Sequence, residues 1–332
     1  MLRQSQSHPQ VELHNHLTVT FNESLAHDVR EGLTADRKRL PSKYFYDSRG
    51  SRLFDRICSL PEYYLTRTEM KILGDHAHSI MQPFARGDLV EMGSGSHHKI
   101  SRLLHAVNGT AGAQLRYIPF DVSRNALLEA SRELMRRFPQ LCIMGYVADF
   151  TAHLHLLPHG SKRLFLLFGS TIGNFPGPEA VGLLRNVRAI MAPDDRFLLG
   201  LDMVKPPHNL NAAYNDSRGV TSSFNKNILT VINRHLHADF NPAQFDHLAF
   251  YNEEKEQVEM HLQAREAATV NIADIDLSVD FKKGETIHTE ISRKFTPESA
   301  RILCAHAGLE ISRWFSDAQG WFSLVELVPR RG

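Results

Sequence analysis

Between Asp88 and Val204, short apolar runs alternate with segments whose apolar residues recur at helical spacing. The apolar runs predict strands at residues 89–92, 115–120, 142–147, 163–168 and 196–204. The segments between them predict helices at residues 99–107, 125–138 and 178–191. This alternation is typical of a parallel sheet whose strands are joined by right-handed helical crossovers. We therefore expect an α/β fold with a doubly wound sheet.

The alternation stops at Pro206-Pro207, where the pattern changes. Residues 211–237 have helical periodicity, whereas residues 254–279 and 285–294 predict strands, as the alternation of Val258, Met260 and Leu262 illustrates. A helix at residues 297–308 and a hairpin at residues 309–315 and 321–328 complete the chain. We interpret residues 206–294 as an α+β insertion before the closing hairpin of the sheet.

These patterns predict two domains. One consists of residues 70–205 plus 295–332 and carries the sheet, and the other consists of residues 15–69 plus 206–294. Residues 1–14 are polar, lack the apolar segment of a secretory signal, and are expected to be flexible.

Composition narrows the range of functions. The chain has 332 residues, of which 42% are hydrophobic, and its formal net charge is +1. So small a net charge does not attract nucleic acid or an acidic membrane surface, and no apolar run reaches transmembrane length. We expect a monomeric, cytoplasmic protein that binds neither nucleic acid nor membranes.

Cysteine and histidine residues give no metal-binding pattern. Cys58, Cys142 and Cys304 lie far apart, and none of the 19 histidines falls in an HExxH or Cys/His ligand spacing. We therefore predict no metal site.

Candidate chemistry lies where the predicted strands end. Gly93-Ser94-Gly95 follows the first strand, at the edge where open α/β sheets bind ligands. A dinucleotide site would have a third glycine where this chain has His98, which disfavours a nicotinamide oxidoreductase. S-adenosylmethionine (SAM) instead requires acceptors for its ribose and adenine.

Asp121 and Asp149-Phe150 end the next two strands and supply such groups. Asp121 is placed to accept hydrogen bonds from ribose hydroxyls, Asp149 to accept one from the adenine amine, and Phe150 to pack on the ring. Each signal alone also fits an ordinary turn or a helix cap. Together, in strand order, they favour a SAM-dependent methyltransferase.

Six short motifs resemble one family. They are YFYD at 44–47, LPEYY at 60–64, EMGSG at 91–95, GSTIGNF at 169–175, AYN at 213–215 and TEIS at 289–292. In this order they resemble the histidine Nα-methyltransferase family of ergothioneine biosynthesis, from about residue 40 to the end. The resemblance implies a class-I Rossmann-like SAM methyltransferase domain with an inserted α+β substrate-binding lobe. It also implies trimethylation of L-histidine to hercynine.

The resemblance further implies roles for individual residues. Its cofactor residues match Gly93, Lys99, Asp121 and Asp149. Its substrate residues match Asn174 and Tyr214 at the carboxylate and amine, Glu290 and Ser292 at the imidazole, and Tyr46, Tyr63 and Met260 around the substrate. Asn174 and Tyr46 are the predicted catalytic residues, and Tyr46 and Tyr63 can exchange roles in this assignment.

The spacing of Glu290 and Ser292 suits an imidazole. Residues at i and i+2 of a strand share a face, so the two side chains can bind the two ring nitrogens. The alternative is a strand with a solvent-exposed face, on which Glu290 is simply exposed. Two other functions also stay open: a methyltransferase of this family for an aromatic amino acid, and a non-catalytic SAM sensor.

Overall fold

The structure, a computed structural model of the chain, describes residues 11–17, 19–84, 86–107, 114–158 and 160–330. Its helices are α1 (Phe21–Leu33), α2 (Ser48–Cys58), α3 (Tyr64–Met81), α4 (His98–His105), α5 (Arg124–Arg137), α6 (Gly177–Ile190), α7 (Pro207–Tyr214), α8 (Val220–Leu236) and α9 (Pro297–His306). Its strands are β1 (Val11–Asn15), β2 (Arg86–Met92), β3 (Gln114–Asp121), β4 (Cys142–Val147), β5 (Arg163–Leu167), β6 (Arg196–Asp202), β7 (Phe245–Asn252), β8 (Gln257–Ala264), β9 (Ala268–Ile272), β10 (Leu277–Phe281), β11 (Thr286–Arg293), β12 (Leu309–Ser316) and β13 (Phe322–Pro329).

The main sheet has the strand order β1-β4-β3-β2-β5-β6-β13-β12 within the described residues. Strands β1 to β6 are parallel to one another, whereas β13 is antiparallel to both β6 and β12. The order reverses between β2 and β5, which places the carboxyl end of β2 at the crevice of a doubly wound sheet. This is the Rossmann-like α/β fold expected from the sequence, and the closing hairpin is confirmed.

The central strands of the main sheet are buried because helices cover both faces of the sheet. All five residues of β5 are buried, as expected for a strand covered by helices on both faces. Two helices begin at reciprocal capping pairs. At α1 the Thr20 hydroxyl accepts from the Glu23 backbone N–H while the Glu23 side chain accepts from the Thr20 N–H, and Thr296 and Ser299 form the same kind of pair at α9.

Strand β1 is a correction to the sequence analysis. Residues 11–14, expected to be flexible, pair in parallel with β4, so that Val11 lies opposite Ile143. Only Val11 and Leu13 are apolar in this five-residue strand, which is too short a pattern to reveal it. Residues 1–10, for which flexibility was also predicted, lie outside the described residues.

The remaining strands form two smaller antiparallel sheets. Strands β11, β8 and β7 form one of them, and β10 pairs with β9 in the other. The helices α1, α2 and α8 pack near these strands, and one hydrophobic core joins residues from Leu25–Leu65 with residues from Leu210–Ile287.

Two further clusters of buried apolar residues, taken from 72–203 and 295–327, lie around the main sheet. This separation supports the two-domain division, which remains our proposal. No helix in the described part of the chain is long and apolar enough to span a membrane.

Candidate active site

The carboxyl ends of β2, β3 and β4 bring three predicted cofactor residues to one edge of the sheet. Gly93 and Gly95 have φ angles of 67° and 41°, a left-handed conformation that favours glycine. The Asp121 carboxylate accepts hydrogen bonds from the Gly95 N–H at 3.1 Å and from the Ser123 N–H at 2.8 Å. Burial raises the pKa of Asp121, and these backbone bonds oppose that shift. The strand-end carboxylate and the glycine turn therefore form one unit.

Asp149 and Phe150 lie at the same edge. The Asp149 carboxylate accepts from the Thr151 backbone N–H at 2.8 Å and from its hydroxyl at 2.6 Å. A Cβ atom at Gly93 would lie 3.5 Å from Cε1 of Phe150, so this ring lies beside the glycine turn. The hydroxyl of Ser94 is buried and has no hydrogen-bond partner among the described residues. We refer to Gly93, Lys99, Asp121, Asp149 and Phe150 as the cofactor edge.

Lys99 has a partner that the sequence analysis missed. Its Nζ atom lies 2.7 Å from Oε2 of Glu69, and the Glu69 carboxylate also accepts from the Gly169 N–H at 2.9 Å. Glu69 is fully buried on α3, between Leu65 and Ile72 of the apolar face. In the sequence, the position of Glu69 among the apolar residues of α3 could have indicated a buried charge with a partner. Glu69 fixes Lys99 and the loop that follows β5.

Glu290, Ser292 and Met260 lie together on the strand pair β8–β11. Glu290 lies directly opposite Met260, and Ser292 lies opposite Val258, so these side chains share a face. Ser292 is buried and Glu290 is half-buried. Burial raises the Glu290 pKa to about 7, opposed by the charge of Lys294. The Glu290 carboxylate has no hydrogen-bond partner in the described ranges, so it is free to accept one from a ligand.

A β-bulge sets this arrangement. The pairing shifts between His288 and Glu290, which leaves Thr289 as the extra residue of β11. The Thr289 hydroxyl is buried and lies 2.7 Å from Oδ1 of Asn225 and 3.0 Å from the Met260 carbonyl. Because of the bulge, His288 pairs with His261, and Glu290 turns to the opposite face with Met260.

Tyr214 joins this pair of strands through a buried polar network. Its hydroxyl donates to Oγ of Ser292 at 2.8 Å and accepts from Nζ of Lys294 at 3.0 Å. Lys294 also lies 2.9 Å from Oδ2 of Asp202. Asp202 accepts a further bond from Tyr64 at 2.8 Å. No local pattern in the sequence indicated Lys294, Asp202 or Tyr64 as members of the site, because the segments that carry them lie far apart in the chain.

Tyr63 and Tyr46 border the same side chains. The rings of Tyr63 and Tyr214 are 6.4 Å apart and meet edge to face. Tyr46 is 40% exposed and packs edge to face on Phe54 and Phe224 at centroid distances of 5.5 and 5.4 Å. The electrostatic influence of Glu290 reaches both Tyr46 and Tyr63. We refer to Tyr46, Tyr63, Tyr214, Met260, Glu290 and Ser292 as the substrate cluster.

Asn174 ends a short 3₁₀ helix, Thr171–Asn174, that follows β5. The preceding Gly173 packs so tightly on β11 that a Cβ atom there would lie 2.8 Å from the Arg293 carbonyl oxygen. Asn174 is half-buried, and its amide has no hydrogen-bond partner among the residues described. It is thus carried by the main sheet but held against the strand of the substrate cluster.

One group of side chains offers ligand atoms for a metal ion. Atoms of Glu259, His261 and His288 all lie within 4.8 Å of one another. Nδ1 of His261 and Nε2 of His288 are buried without a partner in the described part of the chain. Sequence spacing did not reveal this group, because the register of β8 and β11 creates it. The group faces away from Met260 and Glu290.

The chain is similar in sequence to known SAM-dependent methyltransferases. A family model described as histidine-specific, SAM-dependent methyltransferase matches residues 25–329. The chain is 45% identical over 303 residues to histidine N-alpha-methyltransferase from Mycolicibacterium smegmatis, covering 91% of this chain and 94% of the relative. It is 42% identical over 316 residues to the protein of that name from Mycobacterium tuberculosis, covering 95% and 98%.

A more distant relative is ergothioneine biosynthesis protein 1 from Neurospora crassa. The identity is 30% over 284 residues, which cover 83% of this chain and 32% of the relative.

Proposed function

Because the chain belongs to the family of SAM-dependent, histidine-specific methyltransferases, we propose that it methylates the α-amine of L-histidine. The observation that carries the proposal is the free Glu290 carboxylate beside the Ser292 hydroxyl, on one face of β11. A carboxylate and a hydroxyl at this spacing match the two nitrogens of an imidazole. The names of the two bacterial relatives support the α-amine as the site of methylation.

The cofactor edge would hold SAM, which supplies an electrophilic methyl group when bound. In this proposal Asp121 binds the ribose, Asp149 the adenine amine, and Phe150 packs on the adenine. The left-handed glycine turn beside Phe150 and the unpartnered Ser94 hydroxyl are consistent with a ligand at this edge. Lys99, fixed by Glu69, contributes a positive charge there.

The substrate cluster would position the amine. Methyl transfer to nitrogen needs the attacking atom about 3 Å from the methyl carbon and in line with the leaving group, so orientation is the main requirement. Asn174, whose amide is free, and Tyr214 would hold the carboxylate and amine end, and Tyr46 would line the reacting side. The amine must be neutral, and an α-amine loses its proton near pH ~8, so a strong base is not required.

We further propose that methylation continues to the trimethyl product, hercynine, as a step of ergothioneine biosynthesis. The name of the fungal relative supports the pathway. Each methyl transfer uses the nitrogen lone pair and gives an ammonium, which regains a lone pair by losing a proton to water until the nitrogen carries three methyl groups. The Asn174 carbonyl oxygen can accept the N–H that rotates away. A time course that stops at the monomethyl product, with SAM in excess, would refute this part of the proposal.

The decisive experiment mixes the protein with SAM and each standard amino acid in turn and identifies the products by mass. We expect a mass gain of three methyl groups on histidine alone, with the α-nitrogen as the modified atom by fragmentation. Methylation of tryptophan or tyrosine instead would favour an aromatic substrate. SAM binding without turnover of any amino acid would favour a sensor.

We propose that the reaction needs no metal ion, because the Glu259–His261–His288 group lies on the opposite face of the strands from Glu290. Activity that survives dialysis against a chelator would agree with this. A monomeric state and a cytoplasmic location remain predictions from sequence, and light scattering in solution tests the first.

A further inference from the structure

Lys294 is a fully buried cation beside the substrate cluster, and the proposed function gives it no role. Its ammonium group has three N–H bonds and three partners within the described residues. It lies 2.9 Å from Oδ2 of Asp202, 3.0 Å from Oη of Tyr214 and 2.7 Å from Oγ of Ser292. Burial lowers the pKa of Lys294, but Asp202 and Tyr214 raise it by more than burial lowers it. The pKa of Lys294 therefore lies above its ordinary value. Lys294 is therefore a fixed positive charge with no donor left over.

Ser292 is constrained by this contact. Its oxygen accepts one hydrogen bond from Lys294 and another from the Tyr214 hydroxyl at 2.8 Å. A hydroxyl oxygen has two lone pairs and one proton, so both acceptor sites are occupied. The Ser292 proton must then be donated to a different group. In this network Ser292 acts toward a ligand only as a donor.

Glu290 is the complement of Ser292 on the same face of β11. Its carboxylate carries no hydrogen bond within the described residues, and when ionised it acts only as an acceptor. The two side chains thus offer one acceptor and one donor. A neutral imidazole needs this combination, because it has one N–H and one nitrogen lone pair. An imidazolium has two N–H groups, one of which would meet the Ser292 donor.

We propose that Lys294 is a positioning residue that holds Ser292 as a donor, so that the site binds histidine with a neutral imidazole ring, in one tautomer, and rejects the imidazolium form. The proposal rests on histidine being the substrate. The N–H nitrogen of the ring faces Glu290, and the lone-pair nitrogen faces Ser292. The charge of Lys294 adds to the rejection of a cation, although Asp202 partly balances it. The other titratable groups that interact electrostatically with this network are Tyr46, Tyr63, Tyr64, Tyr214, Tyr251, Lys205 and Cys58.

The test compares two ligands that differ in basicity. L-Histidine has a side-chain pKa near ~6.5, whereas the analogue with a 1,2,4-triazole ring keeps one N–H and a lone pair but stays neutral at pH 5.5. Their dissociation constants are measured by calorimetry between pH 5.5 and 7.5. The α-amine and Glu290 titrate in both experiments, so their effects largely divide out of the ratio of the two constants. The ratio therefore reports on the charge of the ring.

In the wild-type protein we expect the ratio of the histidine constant to the triazole constant to rise about tenfold from pH 7.5 to 5.5, as the imidazole becomes protonated. In Lys294→Met, Ser292 regains an acceptor site, and the rise should fall below about threefold. A merely structural role of Lys294 would weaken both ligands equally and leave the wild-type rise intact, which would overturn the proposal.

Two further variants keep the test decisive. Lys294→Leu, which like Lys294→Met leaves Asp202 paired with Lys205 at 2.6 Å, serves if the first variant does not fold. In Ser292→Ala, adding Lys294→Met should change the ratio no further, because Lys294 acts through Ser292. A wild-type protein that does not methylate histidine at pH 8 would overturn the proposed function together with this inference. Methylation of histidine with an unchanged ratio in Lys294→Met overturns the inference alone.

Discussion

The cofactor edge and the substrate cluster are held in place by different means. At the cofactor edge the carboxylates bond to backbone N–H groups: Asp121 to Gly95 and Ser123, and Asp149 to Thr151. In the substrate cluster, Ser292 and Tyr214 bond to other side chains, which depend on buried charges. The two carboxylates of the cofactor edge are thus fixed by adjacent backbone, whereas Ser292 and Tyr214 of the substrate cluster are fixed by side chains of distant segments. Substitutions in the two regions should therefore have different effects on stability, on catalysis and on SAM affinity.

The largest effect should come from Asp202→Ala. This carboxylate is fully buried and faces Lys205 at 2.6 Å and Lys294 at 2.9 Å. Removing it leaves two buried ammonium groups without their counter-charge, which typically costs about 3–5 kcal/mol. We expect the free energy of unfolding, from denaturant titration, to fall by that amount. Asp280→Ala, at an exposed carboxylate of β10, should change it by less than about 0.5 kcal/mol. Equal effects in the two variants would show that the network does not stabilise the protein.

Glu290→Ala should affect the substrate and spare the cofactor. It removes a charged acceptor from the imidazole, at a cost of about 2–3 kcal/mol, or tens to a few hundredfold in kcat/KM for histidine. The affinity for SAM should not change. Glu253→Ala, in the exposed turn between β7 and β8, is the control and should retain full activity. Full activity and selectivity in Glu290→Ala would remove the main support for the imidazole assignment.

A double variant extends this prediction. Met260 is buried directly opposite Glu290, so a smaller residue there should enlarge the space that Glu290→Ala creates. We expect Met260→Ala/Glu290→Ala to accept a bulkier, less polar amino acid better than Glu290→Ala does. Product mass with phenylalanine or tryptophan measures the gain, and no gain would place Met260 outside the pocket wall.

Asp121→Ala should produce the converse effect. Hydrogen bonds to a charged group contribute about 1.5–3 kcal/mol, so SAM should bind at least about tenfold more weakly by calorimetry. Asp121→Asn removes the charge and keeps one of the two acceptor oxygens, so it also loses the bond from either the Gly95 or the Ser123 N–H. Asp194→Ala, at an exposed carboxylate before β6, is the matched control. Unchanged affinity in Asp121→Ala would exclude the ribose contact.

The smallest effect should be that of Gly93→Ala. The new Cβ atom would lie 3.5 Å from Phe150, an ordinary contact, so the penalty comes from the φ angle of 67°. A left-handed conformation costs a residue with a side chain about 1–2 kcal/mol of stability. Gly182→Ala on α6, where the added Cβ meets no atom within 4 Å, should stabilise by about 0.5–1 kcal/mol. A Gly93→Ala protein as stable as wild type would show that the turn relaxes freely.

The same contrast explains what could be predicted from the sequence. Apart from β1, the strands of the main sheet follow from local patterns, as do the closing hairpin and the strand-end residues Gly93, Asp121 and Asp149. The i,i+2 spacing of Glu290 and Ser292 also holds in the structure, on the part of β11 after the bulge. Such features depend on neighbouring residues, and the periodicity of the chain records them.

Contacts between segments that are distant in the chain have no corresponding pattern in the sequence. Lys294 meets Asp202 across 92 positions of sequence (294 − 202), and Glu69 meets Gly169 across 100. The pairing of β1 with β4 rests on two apolar residues of a five-residue strand. The site residues themselves stay predictions until the variants above are measured.

The bulge at Thr289 also bears on protein engineering by segment exchange. Upstream of it, His288 faces the side of His261; downstream, Glu290 faces the side of Met260, although the two residues have the same parity in the chain. The alternation of side chains between the two faces of β11 therefore starts again after Thr289. The Thr289 hydroxyl binds Asn225 of α8, which holds the bulge in place. To transfer the residues around Glu290 and Ser292 from a relative with a different substrate, the exchanged segment should begin at residue 289 and end at residue 294. With these limits, the exchanged side chains at positions 290 and 292 should face the pocket, because the bulge at residue 289 sets their face independently of the alternation before it.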